Sequence, residues 1–382
     1  MKVAIMAQFP LAVLDSEMQG RGGGQLATWL PQLAKAWEQQ TECDIHWCVL
    51  DRTVKSPRSV RKWNQTFHSI PSGSVSVDML LGRWPQRLGY RRVLRDICPD
   101  VLHCWGTETL HGAALYEFDG PSILSMQGVI TTCAKTGDLK GWRWRLFEHW
   151  EPSSIRRATV VTSESQWGLD RVAELVPGKP TRKIEYGVFQ SYYDIAWQPA
   201  ADAPRVLFVG GLTRLKGVDI LARMLERHPG RRWKAVFVGD GYVGQSLSAL
   251  NDPMVEILGS LTTSQVQEQM AAAWVLVHPS RADTSPNVVK EARVIGLPVV
   301  ASPHGGHAEY VCDGVDGWIV DSEDPDAWFA KLDAMCADYD LCRRMGQARH
   351  EHFRSYFRPQ KTADAFLSLY QSLGAHNGSR SA

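Results

Sequence analysis

Short apolar runs, rich in valine, isoleucine and leucine, alternate along most of this chain with longer stretches of helical periodicity. That alternation predicts βαβ units, because parallel strands need a crossover between them, and the crossover is usually a helix. The first half is predicted to contain strands at residues 3–7, 45–50, 75–80, 101–104, 122–126 and 159–162, and helices at residues 24–39, 86–97, 142–150 and 164–175.

The alternation of predicted strands and helices stops at residues 198–204, which are rich in proline, alanine and aspartate. It resumes after them. A chain of 382 residues is long enough for two hydrophobic cores. We therefore predict an α/β protein of two doubly wound, Rossmann-like domains, residues 1–198 and 199–358, followed by a terminal helix and a disordered tail over residues 359–382. Ligands of such domains bind beyond the carboxyl ends of the strands, here in a cleft between two facing domains.

Composition argues against several classes of protein. A net charge of +1 provides no bulk attraction to nucleic acid, so no nucleic-acid partner is expected. No stretch reaches the roughly 18 apolar residues of a membrane span, and the first apolar run reads as a strand rather than as a signal peptide. The eight cysteines include no C-x-x-C pair, so no metal site is predicted and a cytoplasmic location is expected.

The segment from residue 278 to residue 309 carries the most specific chemistry. Ser285 is a natural N-cap, and Pro286 suits the first helical position because its missing N–H costs nothing there. The free N–H groups that follow, near Asn287 and Val288, predict an anion site suited to phosphate. Asn287 and Glu291 are four residues apart and share a helix face, so hydroxyls attached to a bound phosphate could reach Glu291.

Two glycine-rich loops are further candidates for phosphate contact. In VGGLTRLKG, Gly211 ends the first strand of the second domain, and Arg214 and Lys216 supply two cations for a diphosphate. The alternative is a solvated basic loop. Near the amino terminus, Gly23 and Gly24 lie in RGGGQ, which matches neither G-x-G-x-x-G nor a Walker A loop. For that loop the alternative is a tight turn between strand and helix.

Weaker candidates lie at other strand ends. His103 could face the cleft or be a satisfied core histidine, and Gln127 with Gly128 could contact a sugar or a phosphate. Gly241, in the sequence GDG, could approach a base, although a structural turn is the stronger interpretation. The basic aromatic stretch GWRWRLFEHW could contact a lipid surface or form an amphipathic cleft helix.

Taken with DVLHCWG, TSESQW and IEYGV, the segments VGGLTRLKG and PSRADTSPNVVKEARVIGLPVVAS resemble the retaining glycosyltransferases of family four. The resemblance covers nearly the whole chain, and the last two segments are its specific part. It implies the GT-B architecture of two Rossmann-like domains. It also implies that the carboxyl-terminal helix crosses back onto the first domain.

The resemblance implies roles for individual residues. The two acids of the family, separated by seven residues, fall on Asp283, which would contact the donor sugar, and on Glu291, which would contact the ribose. Lys216 matches the diphosphate lysine, and Gly23 and Gly24 match the loop that approaches the donor phosphates. Because the family is metal-independent, the resemblance implies no metal and no cofactor beyond a nucleotide-diphosphate sugar as co-substrate.

Three positions depart from the family pattern. Asp283 replaces a glutamate, Gly211 stands where an arginine is usual, and Gln127 stands where a histidine is frequent. Arg214 can take the place of the missing arginine three residues later. Such catalysis needs positioning and charge stabilisation. The predicted catalytic set is therefore Asp283, Lys216, Arg214 and Gln127.

The leading interpretation is a retaining glycosyltransferase that moves a sugar, with UDP as the favoured nucleotide, to a glycan or lipid-linked acceptor in polysaccharide or cell-envelope biosynthesis. GDP and ADP remain open as donor nucleotides. Two alternatives also remain open: an epimerase acting on a UDP-sugar, and a non-catalytic protein that binds sugar nucleotides or glycans. A lipid-linked acceptor would bring peripheral attachment to the inner membrane.

Overall fold

The computed structural model describes residues 1–14 and 29–378, and the chain divides into two compact units. The first unit comprises Met1–Ala134, Leu139–Gly187 and Pro359–Ala382, and the second comprises Lys135–Asp138 and Val188–Arg358. The main division therefore precedes the proline-rich segment at 198–204. The physical reason is that side chains just after residue 187 pack into the core of the second unit, namely Val188, Tyr192, Tyr193 and Trp197.

Among the residues that the structure describes, eight strands form the sheet of the first unit: β1 (Lys2–Met6), β2 (Asp44–Asp51), β3 (Arg58–Lys62), β4 (Gln65–Pro71), β5 (Val101–Trp105), β6 (Ser122–Met126), β7 (Val160–Ser163) and β8 (Thr181–Lys183). Their order is β3-β4-β2-β1-β5-β6-β7-β8, and all neighbours are parallel except β3 and β4. The α-helices of this unit among the described residues are α1 (Trp29–Ala36), α2 (Val75–Leu80), α3 (Trp84–Ile97), α4 (Ile130–Ala134), α5 (Trp142–Arg157), α6 (Gln166–Leu175) and, at the carboxyl terminus, α15 (Pro359–Gly378). Segments of 3-10 helix lie at Leu11–Val13 and Leu110–Glu117.

Residues 58–80 fold differently from the prediction. The strand expected at 75–80 is helix α2, and the sheet position belongs to the unpredicted hairpin β3–β4. Trp63 and Asn64 form its two-residue turn with φ angles of 51° and 56°, as a type I′ turn requires. The turn lacks the usual Asn-Gly signal, while the alternation of Val75, Val77 and Met79 imitates a strand.

Six parallel strands form the sheet of the second unit: β9 (Arg205–Val209), β10 (Lys234–Val238), β11 (Val255–Ile257), β12 (Val275–His278), β13 (Val299–Ala301) and β14 (Gly317–Ile319). Its helices are α7 (Gln190–Tyr193), α8 (Val218–Arg227), α9 (Gly244–Ser248), α10 (Thr263–Ala272), α11 (Asn287–Ile295), α12 (Pro325–Ala337), α13 (Tyr339–Gln347) and α14 (His350–Tyr356), with a 3-10 turn at Gly306–Tyr310. The doubly wound α/β class predicted from the sequence is confirmed.

The strand order of the second unit, β11-β10-β9-β12-β13-β14, reverses direction between β9 and β12. At such a switch point the loops that leave the two neighbouring strands diverge to opposite faces of the sheet and open a crevice for ligands. Because β9 ends at Val209 and β12 ends at His278, the two most specific sequence segments enter this crevice side by side.

Helix α15 packs within the first unit. The indole N–H of Trp37 donates to the carbonyl of Ala363 at 3.0 Å, and the hydroxyl of Thr362 donates to the carbonyl of Glu185 at 2.8 Å. Buried Phe366 and Tyr370 complete the same core. Among the described residues, no helix is both long and apolar enough to cross a membrane.

Candidate active site

The ammonium group of Lys216 contacts the carboxylate of Asp283 at the crevice of the second unit. Lys216 lies in the loop after β9 and Asp283 in the loop after β12, and their side chains are 28% and 13% exposed. Burial alone would raise the pKa of Asp283, but the charge of Lys216 and the nearby His278 ring lower it by more, so the pKa lies well below its usual range. The crevice therefore holds an ionised carboxylate beside a cation.

The loop that carries Lys216 is held to the loop after β12 by backbone contacts. The amide of Arg281 donates to the carbonyl of Leu215 at 2.8 Å, and the hydroxyl of Ser280 donates to the same carbonyl at 3.2 Å. Gly217, with a φ of 72°, lets the chain turn into α8 directly against Pro279. The position of Lys216 is thus fixed by main-chain geometry.

The side chain of Arg281 clamps the same loop. Its guanidinium donates to the carboxylate of Asp219 at 2.6 and 3.0 Å and to Glu323 at 2.6 Å, and it also donates to the carbonyl of Arg214. The sequence analysis missed Arg281. Its partners lie 42 to 67 residues away in the chain, so no local pattern signals the clamp.

An anionic group already contacts the backbone of this loop. The carboxylate of Asp138, one of the four residues that cluster with the second unit, accepts from the amide of Leu215 and from the hydroxyl of Tyr242. The same hydroxyl accepts from the amide of Arg214 at 3.1 Å, while the side chain of Arg214 is exposed. These contacts show that main-chain donors of this loop suit an anion.

Glycine is required at position 217 but not at position 211. A Cβ atom at Gly217 would lie 2.0 Å from the carbonyl oxygen of Pro279, whereas at Gly211 the nearest atom would be 3.7 Å away. Gly217→Ala is therefore expected to destabilise the fold by about 1–3 kcal/mol and to displace Lys216. Gly211→Ala is the matched control and should change the melting temperature little. Equal melting temperatures for the two variants would contradict the close packing against Pro279.

Helix α11 begins one residue later than predicted. Pro286, not Ser285, occupies the N-cap position, and α11 starts at Asn287 with no side-chain cap among the described residues. The hydroxyl of Ser285 is instead buried and bonded to the hydroxyl of Tyr310 at 2.8 Å, which removes it from the helix start. The amides at Asn287 and Val288 therefore remain at the first turn of α11, where an anion is stabilised.

Glu291 lies one helical turn after Asn287, on the same face of α11. Burial raises the pKa of its carboxyl group to about 7, although the hydroxyl of Tyr192 donates to it and the neighbouring charge of Lys290 opposes the shift. Tyr192 itself is buried in α7. The second acid of the motif is therefore poised between its neutral and ionised forms near neutral pH.

The pKa of Glu291 predicts a specific pH dependence. The native carboxyl group keeps its proton up to about pH 7, whereas the unfolded chain releases it near 4.5, so this group's stabilising contribution is lost as pH rises between these values. Glu291→Gln is therefore expected to gain up to about 3 kcal/mol over wild type above pH 7. Urea unfolding at about pH 5 and about pH 8 measures the trend. The exposed control Glu268→Gln should leave stability unchanged, and a destabilised Glu291→Gln at about pH 8 would contradict the assignment.

The part of the chain that forms this site matches a known protein family. Residues 203–338 match the family model described as Glycosyl transferases group 1. The chain carries a domain of this glycosyltransferase family. The matched residues include Lys216 and Asp283, which contact each other at the β9–β12 crevice, and Glu291 on α11.

Curated relatives of this glycosyltransferase domain are similar over part of their length. The D-inositol 3-phosphate glycosyltransferase of Corynebacterium jeikeium is 32% identical over 189 residues, which cover 45% of this chain and 45% of that protein. The GDP-mannose-dependent alpha-mannosyltransferase of Corynebacterium glutamicum is 25% identical over 245 residues, 61% of this chain and 58% of that protein. The chain thus spans about half the length of the curated relatives it matches.

Solved structures match over nearly the whole chain. Sucrose-phosphate synthase from Thermosynechococcus elongatus has a TM-score of 0.80 at 18% identity and covers 98% of this chain and 99% of its own. The HepE protein of Anabaena, solved with UDP and glucose, has a TM-score of 0.71 at 17% identity, covering 98% and 100%. At these identities the likeness shows the fold, which is GT-B as predicted.

A groove of about 520 Å³ adjoins the crevice of the glycosyltransferase domain. It is lined by the loop after β10 and by α9, including Asp240, Gly241, Gln245 and Ser248. A Cβ atom at Gly241 would lie 2.3 Å from the carbonyl oxygen of Leu212, so this glycine is required for a close turn as well as lining the groove.

Three predicted positions of the first unit lie among the described residues. His103 is a core residue and does not face a cleft: its ring is buried, Nδ1 bonds the hydroxyl of Tyr370 and Nε2 bonds the hydroxyl of Ser125, both at 2.7 Å. Gln127 and Gly128 follow β6 and are half-buried, and a Cβ atom at Gly128 would have no neighbour within 4 Å. Gly23 and Gly24 lie outside the described residues.

Another residue missed by the sequence analysis is Glu151, on α5. Its buried carboxylate accepts from the amides of Ile130 and Thr131 at 2.9 Å and from the hydroxyl of Thr107 at 2.7 Å. It thereby fixes the start of α4, three residues after Gln127. The spacing of 20 residues or more between these partners leaves no motif that could reveal the contact.

Proposed function

We propose that the protein is a retaining glycosyltransferase that takes a sugar from a nucleotide-diphosphate donor without a metal ion. The observation that carries the proposal is the Lys216–Asp283 pair at the switch point of the second sheet, beside the uncapped start of α11. A cation in the loop after β9, a helix start and two carboxyl groups after β12, the second of them on α11, match the phosphate, sugar and ribose of one donor molecule.

Each part of the donor has its own place in the proposed binding mode. Its diphosphate is placed against Lys216 and the amides of Asn287 and Val288, with exposed Arg214 within the same loop as a second cation. The ribose hydroxyls then face Glu291 one turn along α11. The base takes the groove along α9, where backbone and small side chains accommodate its flat ring.

The chemistry requires no protein nucleophile. The bond between the anomeric carbon and the diphosphate oxygen breaks, the acceptor hydroxyl bonds that carbon from the same face, and its proton passes to the departing phosphate oxygen. Lys216, Arg214 and the start of α11 stabilise the negative charge that develops on the diphosphate. Asp283 holds the sugar hydroxyls, and Gln127 of the first unit remains a proposed sugar contact. Full activity in the presence of EDTA is the result expected for metal independence.

UDP is the favoured nucleotide of the sugar donor. The HepE protein was solved with UDP, while the mannosyltransferase relative is GDP-mannose-dependent by name, so UDP, GDP and ADP form the panel to test. The deciding experiment incubates the protein with UDP-, GDP- and ADP-sugars and an acceptor panel, and follows free nucleotide and glycosylated product. Product from one donor class supports transfer. A converted sugar that stays on its nucleotide would identify an epimerase, and tight binding without any turnover would identify a binding protein.

For the acceptor we propose a glycan or lipid-linked molecule, reached with peripheral attachment to the inner membrane. Five of the eight exposed large hydrophobic side chains among the described residues lie in α2, directly after it, or at the starts of α3 and α5: Val77, Leu80, Leu81, Trp84 and Trp142. α2 and α5 share a small core through Met79 and Phe147. Residues 75–97 and 139–149 contain eight Lys and Arg against three Asp and Glu, a composition suited to anionic lipid.

Leu81→Glu with Trp84→Glu is expected to reduce binding to vesicles that contain anionic lipid, because it places charge at side chains that are 57% and 56% exposed. Vesicle co-sedimentation measures the effect, and the melting temperature should stay unchanged. Val315→Glu, at a side chain 50% exposed in the second unit, is the matched control. Equal sedimentation of the two variants would contradict the membrane proposal.

A further inference from the structure

His278 ends β12 with a side chain that is only 2% exposed, yet neither ring nitrogen has a hydrogen-bond partner among the described residues. Buried polar atoms are nearly always paired, so such a ring calls for a physical reason. Nε2 lies 3.7 Å from Oδ2 of Asp283. This distance is too long for a hydrogen bond, but a shift of about 0.8 Å would form one.

The ring of His278 has two close neighbours in this site, the ring of His307 and the carboxylate of Asp283. His307, fully buried in the 3-10 turn after β13, packs its ring edge-on against His278 with the centroids 4.8 Å apart. His307 is itself fixed through Nε2, which bonds the hydroxyl of Ser302 at 3.1 Å. Of the described residues, the titratable and charged groups that face His278 are Lys216, Asp283 and His307.

Lys216 has two competing partners once a donor is bound. In the structure its ammonium contacts Asp283, but under the proposed function it also neutralises the diphosphate. A diphosphate carries more negative charge than one carboxylate, so it draws the cation away. Asp283 would then lose its partner at the moment when it must hold the donor sugar.

We propose that His278 is a positioning residue that replaces Lys216 as the partner of Asp283 when a diphosphate engages the lysine. In that state Nε2–H of His278 donates to Oδ2 of Asp283 and keeps the carboxylate aimed at the sugar. The inference rests on the proposed function, and it explains why a buried imidazole without a partner stands beside the first acid of the motif.

The electrostatics of the cluster agree with this exchange. Burial lowers the pKa of His278, Asp283 raises it, and Lys216 lowers it again. The resting ring is therefore neutral. When the charge of Lys216 is neutralised by a diphosphate, one of the two effects that oppose Asp283 is removed, and the N–H becomes a stronger donor to the carboxylate.

The first test separates hydrogen bonding from shape. His278→Phe keeps a flat ring without a donor, and His278→Gln keeps an N–H donor. His278→Phe is expected to lower kcat about tenfold or more while the donor KM changes less, because Asp283 contacts only the sugar, and His278→Gln should recover part of the loss. Wild-type kcat in His278→Phe, or equal losses in both variants, would overturn the proposal.

The second test does not depend on sugar transfer. The protein is labelled with ¹⁵N-histidine, and the exchange-protected imidazole N–H resonance of His278 is followed. This resonance should be absent from free wild type and appear with pyrophosphate. Its absence from His278→Phe with pyrophosphate assigns it to His278. Lys216→Met should show this resonance without any ligand, since Asp283 is then already free. Its absence from Lys216→Met would overturn the inference even if transfer is observed. Its presence without transfer of any nucleotide sugar would instead refute the proposed function alone.

Discussion

Lys216→Met is expected to lower sugar transfer by about 100- to 1,000-fold, comparable to the removal of an oxyanion donor. The departing diphosphate would lose a cation whose loop is fixed at the crevice by main-chain contacts, and exposed Arg214 cannot replace a group held at the β9–β12 switch point. Methionine keeps the length of the side chain. Initial rates of product formation at saturating donor measure the effect.

Lys234→Met is the matched control, because Lys234 also pairs with a carboxylate, Glu256 at 2.8 Å, but at the amino end of β10 in the same sheet. It should retain wild-type transfer. Lys216 lowers the pKa of Asp283, so their pairing stabilises the folded state above the pKa of an unfolded aspartate, and this stabilisation is lost as pH falls. Lys216→Met should therefore also be less stable than wild type above the acidic range. Transfer at the control rate would show that the diphosphate binds elsewhere.

Asp316→Ala is expected to cost about 3–5 kcal/mol in free energy of unfolding, because it leaves the buried guanidinium of Arg293 without its counter-charge. The two groups are 3.2 Å apart and both side chains are 0% exposed. Arg293 also donates to the carbonyls of Asp316 and Ala348 at 3.0 and 3.1 Å. Since Arg293 lies on α11, nucleotide affinity should fall together with stability.

Chemical denaturation measures this loss, with Asp340→Ala as the control. Asp340 pairs with Arg343 at 3.4 Å, but the two side chains are 66% and 54% exposed, so a change below about 1 kcal/mol is expected. An Asp316→Ala variant as stable as this control would contradict the role of the buried pair in holding α11.

The second sheet agrees with the parallel α/β pattern predicted for this half of the chain, because its strands are short apolar runs bounded by glycine or polar residues, as in β10 and β12. The first sheet was harder. Strand β3 is polar and mostly exposed, and its hairpin with β4 turns at Trp63 and Asn64 without a glycine, so periodicity gave no signal for it. Helix α2 has a pattern that misleads in the other direction, since its alternating valines on a partly buried helix look like a strand.

The pairing of Lys216 with Asp283 follows from motif and topology together. Each residue comes directly after a strand, and parallel strands bring their carboxyl ends to one edge. The surrounding contacts could not be predicted, because Arg281, Tyr192 and His278 act through partners distant in sequence or through burial. Ser285 shows the same limit: its hydroxyl suits an N-cap, but Tyr310 competes for it.

The most direct test of the diphosphate site is a calorimetric titration of wild type and Lys216→Met with UDP and UMP, and with the GDP and ADP pairs. Wild type should bind one nucleoside diphosphate more tightly than its monophosphate, and Lys216→Met should reduce that difference at least about tenfold, because the lysine pairs with the additional phosphate. A difference of the same size in both proteins would contradict the placement of the diphosphate at Lys216.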